Sequence, residues 1–247
     1  LSVSSTTIIG GSCSGNTLDA VDNHYILEGD LFTTTAGVAC LTILSNNTVL
    51  DCQGHLINGT GAFGGSRGIE NIGGYNNITI KNCRIIQFNS GINFVNTDNS
   101  SITNNTISSS GVGISLGSSS ENNAISNNTA NSNSIGIQLE TNSNNRVINN
   151  NANSNSNYGI ALSSSHLNTL TNNTANSNSN YGIYSSSSNN NILTNNTFSS
   201  NTVNGIYLSA GSNNSFTSNT IIGLNIGVSL YMAFATSNNS FFSNTLS

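Results

Sequence analysis

Charged side chains are scarce in this chain. Its 247 residues include four Lys and Arg and nine Asp and Glu, 5% in total, whereas an ordinary globular domain has about 25%. Four scattered cations cannot form the basic surface that neutralises phosphates, so we expect no nucleic-acid partner. The same shortage excludes a Lys- and Arg-lined helix on a membrane surface. Apolar runs are also short, none approaching the ~18 residues of a transmembrane helix, so no membrane span is predicted.

Small polar residues dominate instead. Asn, Ser and Thr number 50, 43 and 25, close to half of the chain. Such a composition is typical of disorder, but the 35% of apolar residues recur at regular intervals. A Gly followed by Ile or Val returns every 22 or 23 residues, at Gly68, Gly91, Gly113, Gly136, Gly159, Gly182, Gly205 and Gly227. Recurrence at a fixed period predicts a repeat fold.

Apolar and polar residues alternate within each repeat, as in residues 113–116 and 205–208. This two-residue period is typical of a strand with one buried face, and no segment shows the spacing of an amphipathic helix. Each repeat therefore predicts about three short strands that stack on the next repeat roughly 4.8 Å away. The predicted fold is all-β, a parallel β-helix solenoid of about eight to nine coils of 22–23 residues over residues 45–247. Residues 1–44 do not follow the repeat and predict an N-terminal cap that covers open strand edges.

A polar column accompanies the apolar ones. Asn tolerates the left-handed backbone of turns, and its amide can donate to one copy of itself while it accepts from another. We expect a hydrogen-bonded ladder along the solenoid axis, as in cross-β stacks. A charged residue in such a column would meet its own charge in every coil, which explains the scarcity of charge. The ladder residues recur one repeat apart, at Asn105, Asn128, Asn150, Asn173, Asn196 and Asn219.

Candidate catalytic groups are few. Asp98 and Glu121 lie one repeat apart, in a column that continues through Asn144 to His166. Two stacked carboxylates are a candidate acid pair for glycoside cleavage or a candidate Ca²⁺ site. The alternative is that both are solvent-facing turn residues, and we favour this interpretation. We therefore expect no catalytic site, no metal site and no cofactor.

Two further surface columns leave alternatives open. Tyr158 and Tyr181 share one register, while Tyr184 and Tyr207 share another. Stacked tyrosines could bind a polysaccharide or serve as a packing ladder, and we favour packing. A regular Thr ladder would indicate an ice- or surface-binding solenoid. The partial ladder present here, interrupted at Asn151, consists of Thr106, Thr129, Thr174, Thr197 and Thr220.

Ten Asn residues lie in Asn-x-Ser/Thr sequons, the acceptor motif for N-glycosylation. Turns predict exposure of five of them, which are the glycosylation candidates: Asn46, Asn58, Asn99, Asn213 and Asn238. Asn77 is a further sequon. Four others share the ladder register and are expected to face inward, which would block modification: Asn104, Asn127, Asn172 and Asn195.

The repeat and the residues before it resemble a known family. The unit Gly-Ile-x-Leu, Asn-Asn-x-Ile and Asn-Asn-Thr is similar to the repeat of NosD-like and carbohydrate-active proteins. The segment before the repeat resembles the N-terminal signature of NosD-like surface proteins, which are common in archaea. The residues that carry this resemblance are Cys13, Tyr25–Leu27, Cys40 and Asn47–His55. This resemblance implies a right-handed, single-stranded parallel β-helix and a disulfide between Cys13 and Cys40. It does not extend to copper, since a copper site needs clustered Met, His and Cys and the chain has one Met and three separated His.

The remaining cysteines leave two alternatives. Cys52 and Cys83 fall in comparable parts of neighbouring coils, where they form either a second disulfide or two small buried core residues. Four cysteines in a chain that begins abruptly at Leu1 indicate a secreted protein whose signal peptide has been removed. We expect an extracellular or cell-surface location.

These expectations combine into a functional hypothesis. A nearly chargeless rod, an end in mid-repeat without a visible cap and the lack of a convincing catalytic constellation favour a secreted, non-catalytic structural protein. Such a protein would be a subunit of a cell-surface layer, sheath or filament that self-associates through its solenoid ends or faces. The alternative is a carbohydrate-binding or carbohydrate-cleaving β-helix of the lyase or hydrolase type, with a polysaccharide as partner. Fold alone does not choose between these roles.

Overall fold

The computed structural model describes residues 5–13, 16–20, 24–33, 35, 37–61, 65–223, 230–233 and 236–246. Within these ranges the chain forms thirty short strands and no helix, and every strand pair is parallel. Successive strands lie on three faces that run along the rod. On the second face the strands form two sheets, which isolated bridges through Asn151 and Thr174 connect. The predicted parallel β-solenoid is therefore confirmed. Over the described part of the chain, no helix has the length and apolar character needed to cross a membrane.

The three faces are named sheets A, B and C in the order in which the chain visits them. Sheet A contains Ser5–Ile8, His24–Leu27, Val49–Asp51, Thr79–Lys81, Ser101–Thr103, Ala124–Ser126, Arg146–Ile148, Thr169–Thr171, Ile192–Thr194, Ser215–Thr217 and Ser240–Phe242. Sheet B contains Gly11–Ser12, Leu31–Phe32, Leu56–Asn58, Arg84–Ile86, Thr106–Ser108 and Thr129–Ala130, then Thr197–Asn201, Thr220–Gly223 and Thr245–Leu246. Sheet C contains Asn16–Leu18, Ala39–Ile43, Arg67–Asn71, Ser90–Val95, Val112–Gly117, Ile135–Glu140, Tyr158–Ser163, Tyr181–Ser186, Asn204–Ser209 and Leu230–Ala233.

Apolar side chains stack in register inside the rod. On sheet C, Ile92 pairs with Ile114 and Ile114 with Ile137, and all three are fully buried. Sheet A repeats the arrangement with Ile80, Ile102 and their successors. Full burial of an Ile side chain contributes about 1.5–3 kcal/mol. One coil holds only a few such residues, so the stability of the rod depends on stacking.

The recurring Gly marks the entry into sheet C, where consecutive coils approach closely. A Cβ built on Gly113 would lie 2.5 Å from the carbonyl oxygen of Gly136, and one on Gly159 would lie 2.5 Å from the Cβ of Ala175. Real Cβ atoms do not approach other atoms so closely, so glycine is required by space. The eighth pair of the sequence pattern, at Gly227, lies outside the described residues.

The N-terminal cap predicted for residues 1–44 is not confirmed. Ser5–Ile8 pairs with His24–Leu27, which pairs in turn with Val49–Asp51 of the solenoid body. Asn16–Leu18 likewise pairs with Ala39–Ile43 on sheet C. The described residues of this segment therefore add coils to all three sheets. The segment lacks the regular repeat because its turns vary in length, although its strands keep the same parallel pairing.

Candidate functional site

Asn side chains form ladders along the rod. Asn150 Oδ1 accepts hydrogen bonds from the backbone N–H of Asn128 at 2.9 Å and from its Nδ2 at 3.0 Å. Asn150 Nδ2 donates in turn to Asn173 Oδ1 at 3.0 Å. The same geometry links every residue of the column predicted from the sequence and continues to Asn244. The ladder residues are buried, so their amides satisfy backbone groups that water does not reach.

Two further ladders were not predicted from the sequence. One runs through Asn123, Asn145, Asn168, Asn191, Asn214 and Asn239. The other runs through Asn133, Asn155, Asn178 and Asn201. Each recurs every 22, 23 or 25 residues, so the spacing alone would have found them. Because there are three ladders, Asn side chains form internal hydrogen bonds at all three turns of a coil.

Both cysteine pairs are disulfide-bonded. Cys13 joins Cys40 with a Cα–Cα distance of 4.4 Å, and Cys52 joins Cys83 with a Cα–Cα distance of 4.8 Å. Each bond connects neighbouring coils, and no cysteine of the described part of the chain remains free. The bridge between Cys52 and Cys83 resolves the two alternatives left by the sequence. Disulfides persist in oxidising compartments.

Asp98 and Glu121 lie in a column of hydrogen-bond acceptors at the turn from sheet C to sheet A. Asp98 Oδ1 accepts the backbone N–H of Glu121 at 2.8 Å, and Glu121 Oε1 accepts the hydroxyl of Ser143 at 2.8 Å. The backbone of Ser143 pairs with that of His166 in the next coil. The column therefore passes through Ser143, and its predicted path through Asn144 is wrong by one residue. Asn144 has a left-handed backbone and points to solvent.

This column changes its chemistry along the rod. Asn76 Oδ1 accepts the N–H of Asp98 at 2.6 Å, and Asn189 Oδ1 accepts the N–H of Ser212 at 2.8 Å. In the coils between them, the carboxylate of Asp98 and the imidazole of His166 accept a backbone N–H, whereas the hydroxyl of Ser143 donates to Glu121. His166 Nδ1 accepts the N–H of Asn189 at 3.1 Å, so the proton of the neutral ring is on Nε2. Glu121, Ser143 and His166 line an open surface pocket of about 230 Å³.

Four tyrosines stack on the outer face of sheet C. Ring centroids are 4.8 Å apart for Tyr158 and Tyr184 and 4.8 Å apart for Tyr181 and Tyr207, with interplanar angles of 7° and 19°. Nearly parallel rings this close lie face to face, because coplanar rings at this distance would clash. Every ring keeps partial exposure. Burial, followed by the neighbouring phenol of Tyr184, raises the pKa of Tyr158 above 10.0. We define these four residues as the tyrosine stack.

The tyrosine stack continues along sheet C as a surface on which Glu140 is the one charged residue between residues 112 and 209 of this sheet. Tyr158 is in register with Ile135 and Val112, and the column beside it contains Gln138 and Ser115. These side chains are half-buried. A third column holds Ser163, Ser186 and Ser209. We call the outer side of residues 112–117, 135–140, 158–163, 181–186 and 204–209 the sheet C face.

The four cations lie elsewhere. Arg67 is bound to Glu70 at 3.3 Å in an early coil of sheet C, and Lys81 is bound to Asp51 at 3.1 Å on sheet A. Arg84 lies on sheet B and Arg146 on sheet A, both exposed.

Asp51 is held in its charged form. Burial raises the pKa of Asp51, but hydrogen bonds from Asn82 and from the backbone of Gln53, together with Lys81, outweigh it, so the pKa falls below 3.8. Asp30 shows the same direction of shift: the backbone N–H of Leu56, the strongest influence, lowers its pKa.

The sequons present their Asn at the turns. Asn46, Asn99, Asn213 and Asn238 are exposed, whereas Asn58 is half-buried. The prediction that the sequons beside the ladder face inward is wrong: Asn104, Asn127, Asn172 and Asn195 are exposed and have left-handed backbones. The buried amide in each pair belongs to the Asn that follows.

The chain belongs to the NosD family. The model of this family, described as periplasmic copper-binding protein, matches residues 27–204 and 136–247. The family description and the two disulfides place the protein outside the cytoplasm. No curated protein sequence matches the chain.

Copper does not fit the residues that the structure describes. Soft metals need clustered His, Cys or Met, and all four cysteines are in disulfides. His24 lies on sheet A, His55 pairs with Asp30 at 3.3 Å, and His166 belongs to the acceptor column. Among the described residues, no group of three His, Cys, Asp or Glu could hold a metal ion.

Several solved structures share the fold. The Dettilon tailspike protein aligns with a TM-score of 0.76 and 17% identity over 98% of this chain and 55% of its own. The mannuronan C-5 epimerase AlgE4 A-module of Azotobacter vinelandii has a TM-score of 0.66 and 12% identity over 99% of this chain and 88% of its own. The enzymatically active domain of tailspike protein 2 of bacteriophage CBA120 has a TM-score of 0.64 and 16% identity over 94% of this chain and 43% of its own.

These matches correct two expectations. The interpretation of the chain as a non-catalytic structural subunit of a surface layer, sheath or filament is wrong, because the matched solenoids include an epimerase of mannuronan and an enzymatically active tailspike domain. The expectation that the chain is not an enzyme is wrong for the same reason. Those expectations rested on the shortage of acids and on the regular repeat, and neither feature distinguishes a scaffold from a solenoid that acts on a polymer.

Proposed function

We propose that this chain is a carbohydrate-binding β-helix that acts on a polysaccharide outside the cytoplasm, with the polymer held along the sheet C face. The tyrosine stack carries this proposal. Sugar rings have apolar faces and hydroxyl edges, so they suit a surface that combines aromatic rings with a few hydrogen-bonding groups. The rings of Tyr158, Tyr181, Tyr184 and Tyr207 span three coils and stay partly exposed.

The rest of the sheet C face suits a long polymer. Side chains beside the tyrosine stack are Ser, Gln, Val and Ile with one carboxylate, Glu140, and their positions recur with the spacing of the coils. A regular rod offers the same contacts at every coil, about 4.8 Å apart. A polymer laid along the axis therefore gains many weak contacts at once. The match to an epimerase of mannuronan is consistent with a polymer partner.

The test is affinity electrophoresis in gels that contain dissolved polysaccharides. The variant is Tyr184→Ala combined with Tyr207→Ser. Both substitutions suit the fold, because Ala161 and Ser115 occupy the same column in other coils. We expect the native chain to be retarded and the variant to migrate freely, while circular dichroism shows both folded. The control, Thr194→Ala on the outer side of sheet A, should be retarded like the native chain. Equal retardation of all three proteins would refute the assignment to this face.

A second candidate function is cleavage of the bound polymer. The observation that favours it is the open pocket that Glu121 and His166 both line, two coils apart, at the end of the sheet C strands. A carboxylate and an imidazole are groups that transfer protons. The assay is the release of reducing ends or unsaturated products from the bound polysaccharide, with Glu121→Gln as the variant. Asp98→Asn is the control, because Asn76 fills the same place in the preceding coil. Equal product from the native chain and Glu121→Gln would refute this candidate.

A further inference from the structure

We infer that the polymer held on the sheet C face is a neutral, hydroxyl-rich polysaccharide and not a polyanion. This inference rests on the proposed function and names the class of its ligand. Binding of a polyuronate requires cations to neutralise carboxylates, as recognition of phosphate polymers does. The charges on and near this face therefore decide between a neutral polysaccharide and a polyanion.

No Lys or Arg lies on the sheet C face. The cation of sheet C that comes nearest is Arg67, whose register position is two coils from Val112 at the edge of the face and four coils from Tyr158. Four coils correspond to about 19 Å at 4.8 Å each. This distance is about twice the Debye length at physiological ionic strength. Arg67 is also neutralised by Glu70 at 3.3 Å.

The other three cations lie on the other two sheets. Lys81 and Arg146 lie on sheet A, and Arg84 lies on sheet B. The charge that does lie on the sheet C face is negative: Glu140 is exposed at the end of Ile135–Glu140 and accepts a hydrogen bond from Gln138 at 3.2 Å. The chain as a whole has a formal charge of −5. A polyanion would therefore be repelled both by the face and by the whole molecule.

Neutral groups supply the hydrogen bonds instead. Apart from Glu140, the half-buried polar side chains of the face are hydroxyls and an amide, namely Ser115, Gln138, Ser163, Ser186 and Ser209 with the phenols of the tyrosine stack. Hydroxyls and amides both donate and accept, so they match the hydroxyls of a neutral sugar without a charged partner. Mannuronan, the polyuronate named for the epimerase that shares the solenoid fold, would not suit such a face.

The experiment compares two sets of dissolved polysaccharides in affinity electrophoresis of the full chain. The neutral set is β-glucan, galactomannan and dextran, and the acidic set is alginate and polygalacturonate. We expect retardation by at least one neutral polymer that persists at high salt, and affinity for the acidic polymers at least about tenfold weaker. Binding to alginate that is lost at high salt would overturn the inference while it supports the proposed function. If the chain binds no polysaccharide of the neutral set and none of the acidic set, both the inference and the proposed function are overturned.

A charge variant locates the effect on the face. Ser186→Lys places a cation two residues from Tyr184 on the same side of the strand. Thr194→Lys places the same charge on the outer side of sheet A. We expect the first variant to gain affinity for alginate, and the second to gain much less. An equal gain in both would show that net charge decides, and would overturn the assignment to the sheet C face.

Discussion

Asn173 in the ladder offers the sharpest test of how the rod is stabilised. Its Oδ1 accepts the backbone N–H of Asn150 at 2.9 Å, and its Nδ2 donates to the carbonyl of Val147 at 2.8 Å and to Asn196 Oδ1 at 3.0 Å. The side chain is 1% exposed. Replacement of Asn173 by Ala removes all of these hydrogen bonds at once.

The cost follows from the groups left behind. The buried N–H of Asn150 loses its acceptor, and the carbonyl of Val147 loses this donor. Each such loss costs about 1–3 kcal/mol, so Asn173→Ala should lower the free energy of unfolding by about 2–6 kcal/mol. Domains are stable by about 5–15 kcal/mol in total. The variant should therefore unfold at a much lower urea concentration, measured by circular dichroism.

The adjacent residue supplies the control. Asn172 is exposed and has a φ of 57°, so its side chain lies in solvent outside the ladder. Asn172→Gly keeps the left-handed turn and should change stability by about 0.5 kcal/mol or less. If Asn173→Ala costs no more than Asn172→Gly, the ladder does not stabilise the rod and the reasoning is refuted.

Three other predictions concern the disulfide, the close approach of coils and a buried carboxylate. Replacement of Cys52 and Cys83 by Ala should cost about 2–4 kcal/mol in urea unfolding, and unchanged stability would contradict a constraining role. Gly159→Ala should cost about 1–3 kcal/mol because its Cβ has no room; Gly117→Ala, whose Cβ would meet its nearest atom at 3.4 Å, is the control and should be near neutral. Asp51 has a lowered pKa when folded, so the stability lost in Asp51→Asn should be full above about pH 4 and shrink as pH falls below that value; a loss that does not change with pH would contradict this.

The solenoid was predictable because its period survives in the sequence. Stacked coils must present the same residue type at the same place, so Ile114 and Asn128 recur one coil apart as Ile137 and Asn150. The N-terminal coils were not recognised because their turns vary in length, while strand pairing continues without a sequence period. Cys52 and Cys83 lie 31 residues apart for this reason, though their coils are neighbours.

Errors of one residue arose at the turns. A left-handed residue interrupts the alternation of inward and outward side chains, so Asn104 points to solvent while Asn105 is buried. For the same reason, the column of Asp98 and Glu121 continues through Ser143 and not, as predicted, through Asn144. Function was less predictable still, because outward side chains such as those of the tyrosine stack are not fixed by the packing of the rod.

Titration of the tyrosine fluorescence with a neutral polysaccharide tests the central claim most directly. The chain has seven Tyr and no Trp, and four of the seven form the tyrosine stack, so a large part of its emission comes from the stack. The account predicts a saturable change in emission on addition of the polymer that retards the native chain in gels. It also predicts that the change is lost in the variant with Tyr184→Ala and Tyr207→Ser and kept in Thr194→Ala. A polymer that binds with an unchanged signal, or a variant that binds as well as the native chain, would contradict the claim.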